Sequence, residues 1–270
     1  MDTKQYGPVC VEILGKVREQ HPLIHHITNF VVMNDTANAT LALGALPVMA
    51  HAKEEVAEMV SAAGALVLNP GTLTPEWVEA MLIAGKRAND LGIPVIYDPV
   101  GVGATRLRNE TGELFLKELK LAVVRGNSGE IGALAGAGGE VRGVESIQEV
   151  NDPIRVTRDL AKKFHTVVAI TGKRDILSDG NRVLGVDNGH PMLKTITGSG
   201  CMSTTSIAVF CAAESDHLLA ATAALACYGL AGEIAASHAS GPGTFRSALL
   251  DALYNLTPEQ ISAGVRVVDL

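Results

Sequence analysis

The sequence predicts an α/β fold, a mostly parallel central sheet between two layers of helices. Short β-branched runs alternate with longer amphipathic or Ala-rich runs along most of the chain. Several of the short runs are apolar at nearly every position, the character of parallel strands whose two faces are both covered by helices. No Pro/Ser-rich linker, charge block or internal repeat interrupts this rhythm, so residues 1–270 are expected to form a single domain.

In chain order, strands are expected at 23–28, 47–50, 65–69, 94–98, 122–126 and 167–171. Helices are expected between them near 34–44, 53–63, 74–91, 110–119, 128–136 and 151–164. The first of these has Asn34 or Asp35 as a cap. The third opens on Thr74-Pro75-Glu76, where Thr74 caps, Pro75 suits the first turn and Glu76 favours the helix dipole. Ala135-Gly136-Ala137-Gly138-Gly139 marks a loop. After Thr171 the pattern changes to two short strands, 175–178 and 182–187, around Asp179-Gly180-Asn181, an expected antiparallel hairpin. From Ser199 onward the chain reads as helical, at about 200–214, 216–238, 243–255 and 258–263.

Composition excludes several function classes. Hydrophobic residues make up 47% and charged residues 19%, which rules out a disordered chain. A net charge of −7 and ten aromatic side chains (one Trp, four Tyr, five Phe) argue against a nucleic-acid partner, which would need a basic face and stacking platforms. The Ala-dominated stretch 218–232 is too short to span a bilayer and reads as a buried helix, so no membrane partner is expected. The stretch 1–8 shows no apolar leader region. Four cysteines without a CxxC pair (Cys10, Cys201, Cys211, Cys227) read as reduced thiols of a cytoplasmic protein.

Ligands of open α/β sheets bind beyond the carboxyl ends of the strands, so residues just after strands are the first candidates. Thr197-Gly198-Ser199-Gly200-Cys201 places two glycines before an apolar helical run. Bare amides and a helix N-terminus together suit a phosphate or the negative charge that develops as one is transferred. The segment matches neither GxxxxGK[ST] nor GxGxxG. Cys201 stands where a helix N-terminus lowers a thiol pKa, so it is either a proton acceptor or a small buried hydrophobe. Asn127 and Glu130 have the spacing of a helix-capping pair, and Glu130 equally suits Mg²⁺ beside a phosphate. Asp98, before Pro99, is a turn former or a second ligand for that ion. Asn29 ends the first strand and is placed to bind a ligand. His25 and His26, adjacent in a strand, point to opposite faces and are expected to be structural.

These segments carry a resemblance. Ile27-Thr28-Asn29, Ala42-Leu43-Gly44-Ala45 with Pro47-Val48-Met49-Ala50, Lys53-Glu54-Glu55-Val56, 64–69 and Asp98-Pro99-Val100-Gly101 resemble the 4-methyl-5-(2-hydroxyethyl)thiazole kinases over nearly the whole chain. Asn127 through Glu130 resembles the NxxE motif of the ribokinase-like superfamily, and 197–201 its glycine anion loop. The resemblance implies a ribokinase-like three-layer sandwich that phosphorylates the thiazole's primary hydroxyl, a step toward thiamine, with ATP as co-substrate and Mg²⁺ as cofactor. It implies a homotrimer whose thiazole pocket lies between subunits. Met49 and Gly198 would contact the substrate, Arg125 and Thr171 the ATP, with Asn127 beside them. Gly198, Ser199, Gly200 and Cys201 would form the catalytic loop. The wider superfamily has Asp where this chain has Cys201, and the thiazole kinases resemble it in having Cys.

Overall fold

A computed structural model describes residues 6–137 and 152–270. Residues 1–5, the last two positions of the expected 135–139 loop and the first residue of the expected 151–164 helix lie outside the described residues. The elements run α1 (Tyr6–Gln20), β1 (Leu23–Ile27), α2 (Met33–Leu43), β2 (Leu46–Val48), α3 (Val56–Ser61), β3 (Ala65–Leu68), α4 (Pro75–Leu91), β4 (Val95–Tyr97), α5 (Arg106–Glu118), β5 (Val123–Asn127) and α6 (Ser128–Ala137). They continue with α7 (Pro153–Phe164), β6 (Val167–Thr171), β7 (Asp175–Ser178), β8 (Val183–Val186), a 3-10 helix at Pro191–Thr195, α8 (Ser199–Cys211), α9 (His217–His238), α10 (Pro242–Asn255), α11 (Pro258–Gly264) and β9 (Val267–Asp269).

The strands form one sheet in the order β2-β1-β3-β4-β5-β6-β7-β8-β9. The first six are parallel, and β7, β8 and β9 extend the sheet antiparallel. The alternation of side chains across each central strand divides the core in two. Ala65, Val67, Ile96, Val123, Val167 and Ala169 face one cluster, built with α1, α2 and α8 to α11. Leu66, Leu68, Val95, Tyr97, Val124, Val168 and Ile170 face the other, built with α3 to α7. This is why those strands are apolar at every position: neither side is left to water.

Local chemistry fixes the element ends. Thr74 accepts from Trp77 N at 3.3 Å ahead of Pro75, and Gly92 ends α4 at φ 69°. The helix expected from 110 begins earlier, at Arg106, because Thr105 caps it by accepting from Arg108 N. The helix expected at 53–63 is confined to α3, with a turn over 53–55 ahead of it. Residues 135–137 continue α6 instead of opening a loop. The strand expected at 47–50 is β2 at Leu46–Val48, so Met49 and Ala50 leave the sheet. The expected hairpin is β7–β8. Three elements had no bounds assigned from sequence: α1, the 3-10 helix, and β9, which pairs with β8 through Val267 opposite Val186. By length and composition α9 is apolar enough to cross a membrane, yet 83% of its most apolar window is buried inside the fold.

His25 and His26 do turn to opposite faces. His25 Nε2 lies 2.8 Å from the Ala50 carbonyl, and His26 Nε2 lies 3.2 Å from Thr40 Oγ1. Burial pushes the His26 pKa down to about 3, helped by the neighbouring His25. The unfolded chain takes up a proton near pH 6.5 while the folded ring stays neutral. The stability that His26 contributes is therefore fully present above pH 6.5 and is lost as pH falls toward 3. His26→Gln is expected to flatten the acid-side fall of the unfolding free energy by about 1.4 kcal/mol per pH unit. Urea titrations at successive pH values measure this, and equal slopes for the two proteins would mean that the native ring is already charged.

Candidate active site

Because the first six strands are parallel, their carboxyl ends share one edge of the sheet. Met49 follows β2, Asn29 lies just past β1, Asn69 follows β3 and Asp98 follows β4. Arg125 and Asn127 belong to the end of β5, and Thr171 ends β6, in register with Asn127. α8 packs on β3 and β4 and brings its first turn to this edge.

That turn is built on glycine. Gly198 is the N-cap of α8 at φ 83°, a left-handed conformation that side chains resist, and it offers no side chain to cap the helix. The backbone bond at the helix start runs from Met202 N to Gly198 O, 2.8 Å, so the amides of Ser199, Gly200 and Cys201 precede it and have no intrahelical acceptor. A Cβ at Gly200 would stand 2.9 Å from Arg125 Nη1, and one at Gly198 would stand 2.8 Å from Val32 Cγ1. The missing Cβ at Gly200 thus lets a guanidinium lie against the turn that carries these amides.

Arg125 is only 12% exposed at its side chain. Its Nη2 donates to Thr171 Oγ1, its Nη1 lies 3.9 Å from Asp98 Oδ2, and its buried Nε has no partner. A buried guanidinium N–H without an acceptor beside free helix amides is the signature of a site made for an anion.

The other half of the site is a buried polar cluster. Asn69 and Asp98 are each 1% exposed. Asn69 Nδ2 donates to Asp98 Oδ2 and to Cys201 Sγ, each at 3.2 Å. Thr204 Oγ1 donates to the same Asp98 oxygen at 2.8 Å. Asn29 Nδ2 donates to Asn69 Oδ1 at 2.8 Å and approaches Cys201 Sγ at 3.8 Å. Burial, with Glu130 nearby, raises the Asp98 carboxyl to about 6 against the pull of Arg125 and Thr204. Cys201 differs from the sequence expectation of a lowered thiol pKa. Burial first, and then the Asp98 charge, push it up to about 12, and the amides of Asn69 and Asn29 only partly offset this.

Asn127 and Glu130 cap α6 reciprocally. Glu130 N donates to Asn127 Oδ1 at 3.0 Å, and Asn127 N donates to Glu130 Oε2 at 2.9 Å. Glu130 Oε1 also accepts from Gly101 N at 3.0 Å, which ties the turn after Asp98 to α6. The capping reading therefore holds, and it also fixes the carboxylate close to Asp98. Among the described residues no group of three or more His, Cys, Asp or Glu side chains is arranged to hold a metal by itself.

The structure thus joins Asn29, Asp98, Arg125, Thr171, Cys201 and the glycine loop by direct contact, with Asn127 and Glu130 alongside. Met49 stands half-buried at the same edge on the outermost strand end, tied inward where Ala50 meets His25. Sequence reasoning did not single out Asn69. Its position directly after an apolar strand was the signal, the same one that marked Asp98. A separate cavity of about 660 Å³ opens at the opposite edge, where Pro94, Ala122 and Thr166 begin strands, and it shares no residue with this site.

The sheet between two helical layers, with its capped Asn–Glu pair and glycine-led helix, has the ribokinase-like fold. A ribokinase-like superfamily protein from Enterococcus faecalis superposes with a TM-score of 0.63 over 87% of this chain and 88% of its own at 14% identity, which shows the shared fold. The sequence model of the Hydroxyethylthiazole kinase family matches residues 14–259, and the chain belongs to that family. It is similar to a hydroxyethylthiazole kinase of Chloroflexus aggregans, 64% identical over 96% of this chain and 93% of that one. It is also similar to the solved hydroxyethylthiazole kinase protein of Pyrococcus horikoshii OT3, with a TM-score of 0.91 and 44% identity over 97% of this chain and 99% of the other.

Gly200→Val drives a side chain into Arg125 and is expected to cut phosphoryl-transfer turnover by about 10²-fold, comparable to losing an oxyanion donor. Steady-state kinetics check this, and near-normal turnover would remove the loop from the anion site.

Proposed function

We infer that this chain transfers the γ-phosphoryl group of ATP to the primary hydroxyl of 4-methyl-5-(2-hydroxyethyl)thiazole, giving the thiazole phosphate used in thiamine salvage. The observation that carries the reading is the free-amide turn at 199–201 lying against the partly unpartnered Arg125 guanidinium, with Asn29 and Cys201 on the adjoining side. Membership of the Hydroxyethylthiazole kinase family supplies the substrate class.

In this reading the hydroxyl oxygen attacks the γ-phosphorus as the bond to the leaving ADP oxygen breaks. The amides of Ser199, Gly200 and Cys201 and the Arg125 guanidinium face the charge that builds on the phosphoryl oxygens. Arg125 and Thr171 hold the nucleotide beside Asn127, while Gly198, Met49 and Asn29 line the side that takes the thiazole. A Met sulfur is soft enough to lie along a flat heteroaromatic ring. Cys201 stays protonated near neutral pH, so its first task is to orient the hydroxyl. A loose transition state requires little prior removal of the hydroxyl proton, which passes late to an oxygen of the transferred phosphoryl group and from there to solvent.

Asp98 and Glu130 would hold Mg²⁺. The fit rests on their mutual repulsion, which helps raise Asp98, and on the spare lone pairs of Glu130 beyond its two amide bonds. Two carboxylates with waters and phosphate oxygens are a usual Mg²⁺ environment. When bound, the ion would offset part of the negative charge on the phosphates.

The assembly we infer is a homotrimer whose substrate pocket is completed by a neighbouring subunit. Phe30 and Val31, next to Asn29, are each 62% exposed, so apolar surface lies uncovered beside the site. We read the chain as one domain acting in the cytoplasm, in keeping with four free cysteines.

Incubation with the thiazole alcohol, ATP and Mg²⁺, with product masses measured, tests the function. Thiazole phosphate and ADP are expected. ADP without thiazole phosphate would point instead to another ATP-using reaction of this fold, such as repair of hydrated nicotinamide nucleotides. Cys201→Ala is expected to lower kcat more than it raises the thiazole KM, and an unchanged kcat would remove Cys201 from the reacting centre. Sedimentation equilibrium is expected to give three times the 28.2 kDa chain mass, and a monomeric mass would overturn the shared-pocket reading.

A further inference from the structure

Asn69 is bonded to capacity. Its two amide hydrogens go to Asp98 Oδ2 and Cys201 Sγ, and its oxygen accepts from Asn29 Nδ2 at 2.8 Å and from Gly71 N at 3.1 Å. A primary amide offers two donors and two acceptor lone pairs, so nothing is left over. The amide cannot be turned around, because its oxygen would then face the Asp98 carboxylate and the sulfur while its hydrogens met two donors. The side chain is 1% exposed, in a setting where each bond is strong and each loss is costly.

These partners belong to different parts of the fold. Asn29 comes from the end of β1, Gly71 from the loop after β3, Asp98 from the end of β4 and Cys201 from the first turn of α8. They also belong to different halves of the site. Asp98 stands with Arg125 on the phosphate side, while Cys201 and Asn29 stand on the alcohol side. Gly71 packs so closely that a Cβ there would stand 2.7 Å from Asn29 Nδ2, so the loop backs the amide from behind.

We propose that Asn69 is a positioning residue for phosphoryl transfer: one amide nitrogen, bonded to Asp98 and Cys201 at once, sets the spacing between the phosphate-holding and alcohol-holding halves of the site. The proposal rests on the kinase reading given above and assigns a role within it. Each half keeps its own binding groups when Asn69 is removed, so ATP and alcohol still bind. What is lost is their alignment, and a displacement of about 1 Å costs on the order of 10²-fold in rate.

The test is Asn69→Ala, with Asn69→Ser carrying the same measurements if the alanine variant does not fold. The expected result is a kcat lowered by about 10²-fold, with the KM values for both substrates changed by less than about threefold. A second readout needs no turnover. Cys10, Cys211 and Cys227 are at most 5% exposed, so a thiol-alkylating reagent on the native protein reports on Cys201, with the labelled residue identified by mass spectrometry. Releasing the sulfur from Asn69 is expected to raise its labelling rate several-fold. Thr204→Val removes another donor to the same Asp98 oxygen without touching Cys201, and is expected to leave labelling at the wild-type rate. An unchanged kcat, a loss confined to KM, or labelling insensitive to Asn69 overturns the proposal. A wild-type protein that makes no thiazole phosphate would defeat the kinase reading instead, while the labelling comparison would still report whether Asn69 holds the thiol.

Discussion

Everything at the site follows from burying the neighbouring parallel strands β3 to β6 on both faces. With Ala65 to Leu68, Val95 to Tyr97, Val123 and Val124, and Val167 to Ile170 committed to two cores, these central strands leave no position for the polar groups of the site. Chemistry is displaced to the strand ends, and parallel pairing gathers those ends on one edge. Asn29, Asn69, Asp98, Arg125 and Thr171 are consecutive members of that edge. α8 supplies what a strand end lacks, a set of backbone amides with no partner.

The electrostatics of the edge are divided by distance from water. Arg125, a cation, stands between the glycine turn and Asp98, and lies nearly 4 Å from that carboxylate instead of closing on it. An ion pair at full contact would have spent the guanidinium on the protein itself, whereas this spacing leaves its Nε free. Asp98 is correspondingly under-neutralised and Cys201 is held as a thiol. Nucleotide and cation would complete this charge arrangement, which is the pre-organisation that phosphoryl transfer requires.

Much of this was legible in the residues. Continuous apolar runs gave the parallel strands and their ends, and the Gly198–Gly200 pair ahead of an apolar run gave the glycine-led start of α8. What stayed hidden depended on long-range contacts. β9 is three residues long and owes its strand character to β8, so no local period announces it. α1 has its apolar side defined by α9 and α11. The Cys201 thiol was misjudged because a helix N-terminus is visible in sequence, whereas the desolvation that outweighs it comes from the whole surrounding fold. Asn69 read only as the last residue of an expected strand, and its importance lies in four partners drawn from separated segments.

α9 has a consequence outside the finished molecule. Its 22 residues are, by length and composition, apolar enough to cross a bilayer as well as to fill a protein interior. α8, α10, α1, α11, the 3-10 helix and the sheet hide it. Secretory and insertion machinery selects nascent segments by hydrophobicity, so the correct fate of this chain rests on a race in which wrapping α9 must outpace its capture. Substitutions that slow closure of that layer would be felt first as misrouted or aggregated chains, before any loss in the activity of molecules that have folded.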